Sequence, residues 1–310
     1  MNFIKKWYTY QKERFPVIMF GLYIFCIVFA VFCFSNISNE ILMNSYKRFL
    51  ENTIASKIEW IRIIPMFIVA FLQFLMIRIS DEFKDYEEDC KYRPYRPVPR
   101  GLVTLKELKV LFIICAILQV LITFIFNKEG LILLALVWAF SGLLSKDFFI
   151  KEFIDKHMLF GVLLDELLMP VLVIYLSSYI IAPDLCMEAL VFSNLGYILL
   201  ISYLVSWIVE IARKIRAKED EEEGVKTYTA VLGIGESIFL LFILETLLML
   251  LQISILGIAH SLWIIAIYIL IITINLLFAE KKSKKFAKMT ELSANIYIII
   301  LYLSMGLLII

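Results

Sequence analysis

The chain has 310 residues, 62% of them hydrophobic, with a mean hydropathy of +0.87 and a formal net charge of +1. A soluble domain carries roughly 45–50% apolar residues, so this composition excludes an ordinary water-soluble fold. The 30 basic and 29 acidic residues nearly cancel, which leaves no net basic field for nucleic acid and makes the placement of charge the informative quantity.

The N-terminal tail carries Lys5, Lys6, Lys12 and Arg14 ahead of the first apolar run. No small-residue cleavage site follows that run, so it is expected to be a retained anchor rather than a signal peptide. A helix needs about 20 apolar residues to cross the hydrocarbon core. Nine segments are candidates: 16–35, 60–79, 108–126, 131–145, 158–181, 187–209, 236–257, 260–278 and 292–310, the fourth cut short by Lys146 and Asp147. The expectation is an all-α integral membrane protein, nine transmembrane helices in one bundle, a single domain over 1–310. The longest connections are 36–59, 80–107 and 210–235. Cys26, Cys33, Cys115 and Cys186 fall inside apolar runs and Cys90 stands alone in a loop, which excludes a disulfide framework or a CxxC metal site.

Lysine and arginine orient the bundle. With nine spans, 23 of the 30 basic residues fall in the N-terminal tail and the loops after spans two, four, six and eight, against 4 in the alternate loops. Basic residues stay on the cytoplasmic face, so the N-terminus and the loops 80–107 and 210–235 are expected inside the cell membrane and the C-terminus outside.

Span two runs into Arg78-Ile-Ser-Asp81-Glu-Phe-Lys-Asp85-Tyr-Glu-Glu-Asp89, then Cys-Lys-Tyr-Arg93-Pro-Tyr-Arg96-Pro-Val-Pro-Arg100. If the helix continues past the membrane, Asp81, Asp85 and Asp89 lie on one stripe. Like charges at this spacing repel, by about 0.2–0.5 kcal/mol per pair, and a divalent cation relieves that. Hard oxygen ligands suit Mg²⁺, which typically binds one or two carboxylates plus substrate phosphates. Three prolines then end the helix and keep Arg93, Arg96 and Arg100 close by. Guanidinium groups match phosphate oxygens. Carboxylates for metal beside arginines for phosphate are the parts of a diphosphate site; the competing reading is a solvated juxtamembrane run in which acids and bases balance.

The nine spans, the aspartates closing span two and the Arg-Pro-x-Arg-Pro-x-Pro sequel resemble the UbiA-type intramembrane prenyltransferase superfamily. That family's first motif is Asn-x-x-x-Asp-x-x-x-Asp, and Asp81, Asp85 and Asp89 stand at those places, Asp81 replacing the Asn. The resemblance covers essentially the whole chain, is sharpest over 81–101, and implies a central cavity for a prenyl tail and an acceptor.

It also implies a second acidic motif after span six. The residues there are Glu210-Ile-Ala-Arg213-Lys214-Ile-Arg216-Ala-Lys-Glu219-Asp220-Glu221-Glu222-Glu223-Gly224-Val-Lys-Thr227. Gly224-x-x-Thr227 resembles the usual sequel, and Glu210 fits the first acidic place. Arg213 and Lys214 occupy the region of the second. Two readings follow: Glu210 ligates a metal while Lys214, beside Arg213, contacts diphosphate as a point charge, or Glu219, Asp220 and Glu223 fold back as ligands. An i, i+4 surface ion pair between Glu210 and Lys214 is the plain alternative.

Ionisable groups inside spans are costly and usually face a cavity. Asp165 and Glu166 lie in span five and Glu245 in span seven; Asp165 or Glu245 is expected to orient an acceptor or take its proton, against simple hydrogen bonding with Asn194, Gln119 or Asn275. His157 and His260 stand at span ends and suggest no metal site.

The reading is therefore a Mg²⁺-dependent transfer of an isoprenyl group from its diphosphate to a lipophilic or aromatic acceptor. Asp81, Asp85, Asp89, Glu210 and Asp220 are the candidate metal ligands, and Arg93, Arg96, Arg100, Arg213 and Lys214 the diphosphate contacts. Asp165, Glu245 and Lys214 are the catalytic candidates. A UbiA-type terpene cyclase, and a transporter or membrane scaffold, are the alternatives.

Overall fold

The computed structural model describes residues 2–47, 60–182, 195–222 and 224–309. Cys186, Asn194, Glu223 and the opening of the sixth expected span, 187–194, lie outside the described residues. Lipid offers a backbone no hydrogen-bond partners, so each apolar run closes its own ladder, and the regular structure among the described residues is helical throughout. In chain order the helices are α1 (Phe3–Arg14), α2 (Val17–Lys47), α3 (Ile63–Lys84), α4 (Tyr86–Tyr92), α5 (Leu105–Phe126), α6 (Leu131–Leu144) and α7 (Lys151–Lys156). There follow α8 (Met158–Asp165), α9 (Leu168–Ser177), α10 (Leu195–Arg213), α11 (Tyr228–Val231), α12 (Ile234–Leu256), α13 (Ile258–Lys281) and α14 (Lys284–Ile309).

Eight helices among the described residues are long and apolar enough to cross a membrane, with α8 and α9 together forming one of them. The fourth expected span is the exception. Its helix α6 has 14 residues, about 21 Å at 1.5 Å per residue, against a hydrocarbon core of about 30 Å. It stops because Asp147, Phe148 and Phe149 take positive φ in succession, 48°, 51° and 61°. Each such residue costs roughly 1–2 kcal/mol, and Asp147 is held there by Lys84, whose Nζ lies 2.5 Å from Oδ1.

Each helix of the bundle packs against the next: α2 on α3, α3 on α5, α5 on α6, α6 on α9, α9 on α10, α10 on α12, α12 on α13, α13 on α14. Helix α14 closes the ring on α2, and α2, α9 and α10 meet across it. Buried polar pairs tie neighbours together: Gln119 of α5 donates to Gln73 of α3 at 3.1 Å, and the Thr123 and Tyr175 hydroxyls meet at 2.5 Å.

Span five breaks where the chain expects continuity. A proline ring clashes with the carbonyl four residues back, and Pro170 aims that clash at Glu166. The helix accordingly ends at Asp165 and resumes at Leu168, with Glu166 and Leu167 in a turn. Non-helical backbone at membrane depth is tolerated only where protein or a water-filled cavity surrounds it.

The N-terminal tail is a short helix, not a loose end. Tyr10 of α1 packs with Ile79 of α3, Val98, Val103 and Leu108 of α5, and Trp7 covers them. Lys6 pairs with Glu107 at 2.5 Å, and Glu107 also caps α5 through Thr104. At the other end of α1, Arg14 pairs with the buried Glu82 of α3.

Candidate functional site

Helix α3 gives way to α4 at Asp85, whose φ and ψ are −90° and 2°. The hydrogen bonds Asp85 N to Asp81 O, Asp89 N to Asp85 O and Arg93 N to Asp89 O nevertheless persist at 2.8–2.9 Å. The three aspartates thus keep helical spacing across a kink, and the kink sorts them into two environments.

Asp89 is 3% exposed and faces arginine. One guanidinium nitrogen of Arg96 donates to both its oxygens, at 2.8 and 2.6 Å; Arg93 Nη1 lies at 3.7 Å and Arg14 Nη2 at 4.0 Å. Arg78 joins the same web, reaching Glu82 at 3.2 Å and Asp81 at 3.4 Å. Arg100 is drawn away to Glu13, at 2.8 Å, and to the Tyr95 carbonyl, at 2.9 Å.

Asp85 lies outside that clamp, although Arg96 and Arg14 still act on it through space, and Asp81 keeps Arg78. Asp81 lies within electrostatic reach of Asp85, Lys84, Arg213 and Glu210. Burial, with Asp89 close by, holds the Asp85 carboxyl above its ordinary range; among the described residues it has no ion-pair partner within salt-bridge distance. From α10, Glu210 brings Arg213 and Lys214 to the same place: its Oε2 accepts from Arg213 Nε at 2.6 Å and its Oε1 lies 2.5 Å from Lys214 Nζ. From the break in span five, Asp165 reaches Lys84, Glu210, Asp147 and Lys214 through space, and Glu166 reaches Glu210, Asp165 and Arg213. Carboxylates and cations from α3, α8 and α10, the first and last more than a hundred residues apart, converge at one end of the bundle.

The two connections also lock onto one another. Glu222 accepts from Arg93 Nε and from the Tyr95 hydroxyl, both at 2.9 Å. These two bonds outweigh partial burial and hold its carboxyl below the ordinary range, while burial and Glu222 itself push the Tyr95 phenol up. Gly224 has a φ of 76°, and a Cβ there would meet the Tyr92 ring at 2.6 Å; only glycine lets the second loop lie on α4. Thr227 caps α11, accepting from Ala230 N at 3.0 Å, and donates to Glu221 at 2.7 Å. The Gly-x-x-Thr sequence is thus a docking turn.

Not every candidate joins the cluster. Asp220 pairs with Lys284 at the start of α14. Glu245 is fully buried, and its Oε2 accepts from Asn275 Nδ2 at 3.0 Å between α12 and α13. Its Oε1 has no partner among the described residues. Sequence reading passed over Lys84, Asp147, Arg14 and Glu82 as site components, and gave Glu166 no role. Pro170, four residues beyond Glu166, is the one local signal that marks that acid.

Mg²⁺ fits one half of this arrangement. Asp81 and Asp85 present hard oxygens, repel one another, and lack a cation between them that saturates both. Both Glu210 oxygens already have a cationic partner, and among the described residues no three His, Cys, Asp or Glu side chains stand close enough to ligate one ion.

A model of the UbiA prenyltransferase family matches residues 53–299. The chain belongs to the UbiA prenyltransferase family. Two solved structures resemble it. One is from work on digeranylgeranylglyceryl phosphate synthase in membranes, with 20% identity over 94% of this chain and 98% of that one and a TM-score of 0.55. The other is a UbiA homolog from Aeropyrum pernix K1, with 15% identity over 89% and 94% and a TM-score of 0.59. At these identities the likeness speaks for the fold, and the family membership rests on the sequence match. No curated protein matches the chain.

Proposed function

We propose that this UbiA-family protein transfers an isoprenyl group from an isoprenyl diphosphate to a lipophilic or aromatic acceptor inside the membrane. The observation that carries the reading is that Asp81, one helical turn from Asp85, lies within electrostatic reach of Glu210 and Arg213, with Lys214 paired to Glu210, at one end of a closed helical ring. The excess of basic residues in the connections at that end supports a cytoplasmic position for it.

Asp81 and Asp85 would hold Mg²⁺. When bound, the ion neutralises charge on the departing diphosphate. Arg213 and Lys214 offset the same charge from the opposite side, and their positions are set before substrate arrives, so they favour the transition state over the ground state. Arg96 and Arg93 act one layer back: clamped on Asp89, they fix the segment that carries Asp85 and keep a positive field behind it. Asp165 and Glu166, at the break in span five, would face an acceptor rising from the bilayer, and Asp165 would orient that acceptor or receive its proton. Glu245, bonded to Asn275 between helices, fits the role of a buried interhelical contact.

The test is incubation of purified protein with Mg²⁺ and farnesyl or geranylgeranyl diphosphate, with and without a membrane lipid or aromatic acceptor. Diphosphate release that requires acceptor is the expected result. Release without one converts the assignment to a cyclase, and no release under either condition removes the enzymatic reading.

A further inference from the structure

The second connection presents cations where the first presents carboxylates. The Glu210 side chain is 12% exposed, and both its oxygens are occupied, one by Arg213 and one by Lys214. Three of the acids that follow are committed elsewhere: Asp220 to Lys284, Glu221 to Thr227 and Thr229, Glu222 to Arg93 and Tyr95. A metal would have to compete with these cations and donors for the same carboxylates.

The cations above Glu210 are differently placed. A guanidinium carries five N–H donors and an ammonium three, of which Glu210 takes only part. Their side chains are 51% and 37% exposed, and both lie within reach of carboxylates across the site: Asp81 and Glu166 for Arg213, Asp165 for Lys214. Glu210 with its two partners carries a net charge of +1, which offsets part of the charge on the nearby Asp81, Asp165 and Glu166 and gives a polyanion direct donors with no metal present. Two carboxylates at the same place would carry −2 and would repel it until an ion bound.

We propose that this connection has exchanged a divalent cation for two built-in organic ones. Arg213 and Lys214, oriented by Glu210, grip the diphosphate directly, and one divalent ion at Asp81 and Asp85 completes the site. Glu210 is then a positioning residue and not a metal ligand. The inference rests on the diphosphate reading above, and its test separates the two.

Inorganic pyrophosphate and Mn²⁺ are the probes, on the full-length protein in detergent, with bound Mn²⁺ counted by electron paramagnetic resonance. The expected result is one Mn²⁺ per chain at saturating pyrophosphate, and pyrophosphate binding that survives chelation in weakened form. Lys214→Gln should lower that chelator-resistant affinity roughly 10- to 100-fold, the scale of one charge-assisted hydrogen bond, while Lys214→Arg keeps it. Lys214→Asp restores an acidic pair spaced i, i+4 and should take up a second Mn²⁺ while losing chelator-resistant binding. Two Mn²⁺ per wild-type chain, with the second lost in Glu210→Gln, would overturn the exchange and leave the diphosphate site standing. Failure of pyrophosphate to bind even with Mn²⁺ would overturn the site itself, and with it the proposal.

Discussion

On the proposed diphosphate reading, the two charged connections of this bundle face one polyanionic ligand and meet its charge with opposite signs. The first, around α4, surrounds Asp89 with arginine and leaves Asp85 without an ion-pair partner among the described residues, a deficit that the proposed ion would fill. The second, at the end of α10, buries one carboxylate under two cations and is positive as it stands. A short acidic motif can therefore serve either as a ligand set or as a bracket for arginine and lysine, and its letters alone do not say which. What decides is whether each oxygen already has a partner.

The sharpest way to break the comparison is at Asp85. If the first connection works by holding an ion, Asp85→Asn removes a ligand without adding bulk, and kcat/KM should fall about 1,000-fold, near 4 kcal/mol of transition-state stabilisation. Excess Mg²⁺ should recover part of the loss through KM. A variant within a few-fold of wild type would place the ion elsewhere and erase the contrast between the two loops.

Asp89 tests the opposite half of the same claim. It sits on the regularly spaced stripe with Asp81 and Asp85, yet its surroundings make it structural: it is 3% exposed and contacted by three arginines. Breaking a buried ion pair by neutralising one partner costs roughly 3–5 kcal/mol, because the other charge is left uncompensated. Asp89→Asn should therefore lower the thermal midpoint in detergent strongly, and the folded fraction should still bind Mn²⁺. Full stability with loss of Mn²⁺ would make Asp89 a ligand after all.

That reversal also shows how far the sequence could be read. The spans, their order and the two charged loops are legible because lipid leaves an apolar run no option but a helix. The regular i, i+4 spacing of Asp81, Asp85 and Asp89 is legible too. It cannot show that a kink at Asp85 turns the third residue toward Arg14 and Arg96, since Arg14 lies on a different helix about seventy positions earlier. The break at Glu166 is written in Pro170, whereas the early end of α6 needs the Lys84–Asp147 pair, formed only once α3 stands beside the turn. Local chemistry survives in one dimension; the identity of each charge's partner does not.

The smallest expected effect concerns how the two connections are joined. Glu222 bridges them through Arg93 and Tyr95, and it is the member of the acidic run whose carboxyl is held below its ordinary range. A depressed folded-state value means that the bridge stabilises the protein above the unfolded carboxyl value, about 4.3. That stabilisation fades as pH falls through the lower folded-state value. The side chain is 40% exposed, so solvent screens the pair and its worth is under about 1 kcal/mol. Glu222→Gln should shift the melting temperature by no more than a few degrees at pH 7, and wild type and variant should converge on acidification below about pH 4. Raising the salt concentration should narrow the gap at pH 7 as well. A gap that persists in acid and in salt would mean that Glu222 acts through packing, and that the Gly224 contact with Tyr92 alone aligns the cation-bearing loop with the carboxylate-bearing one.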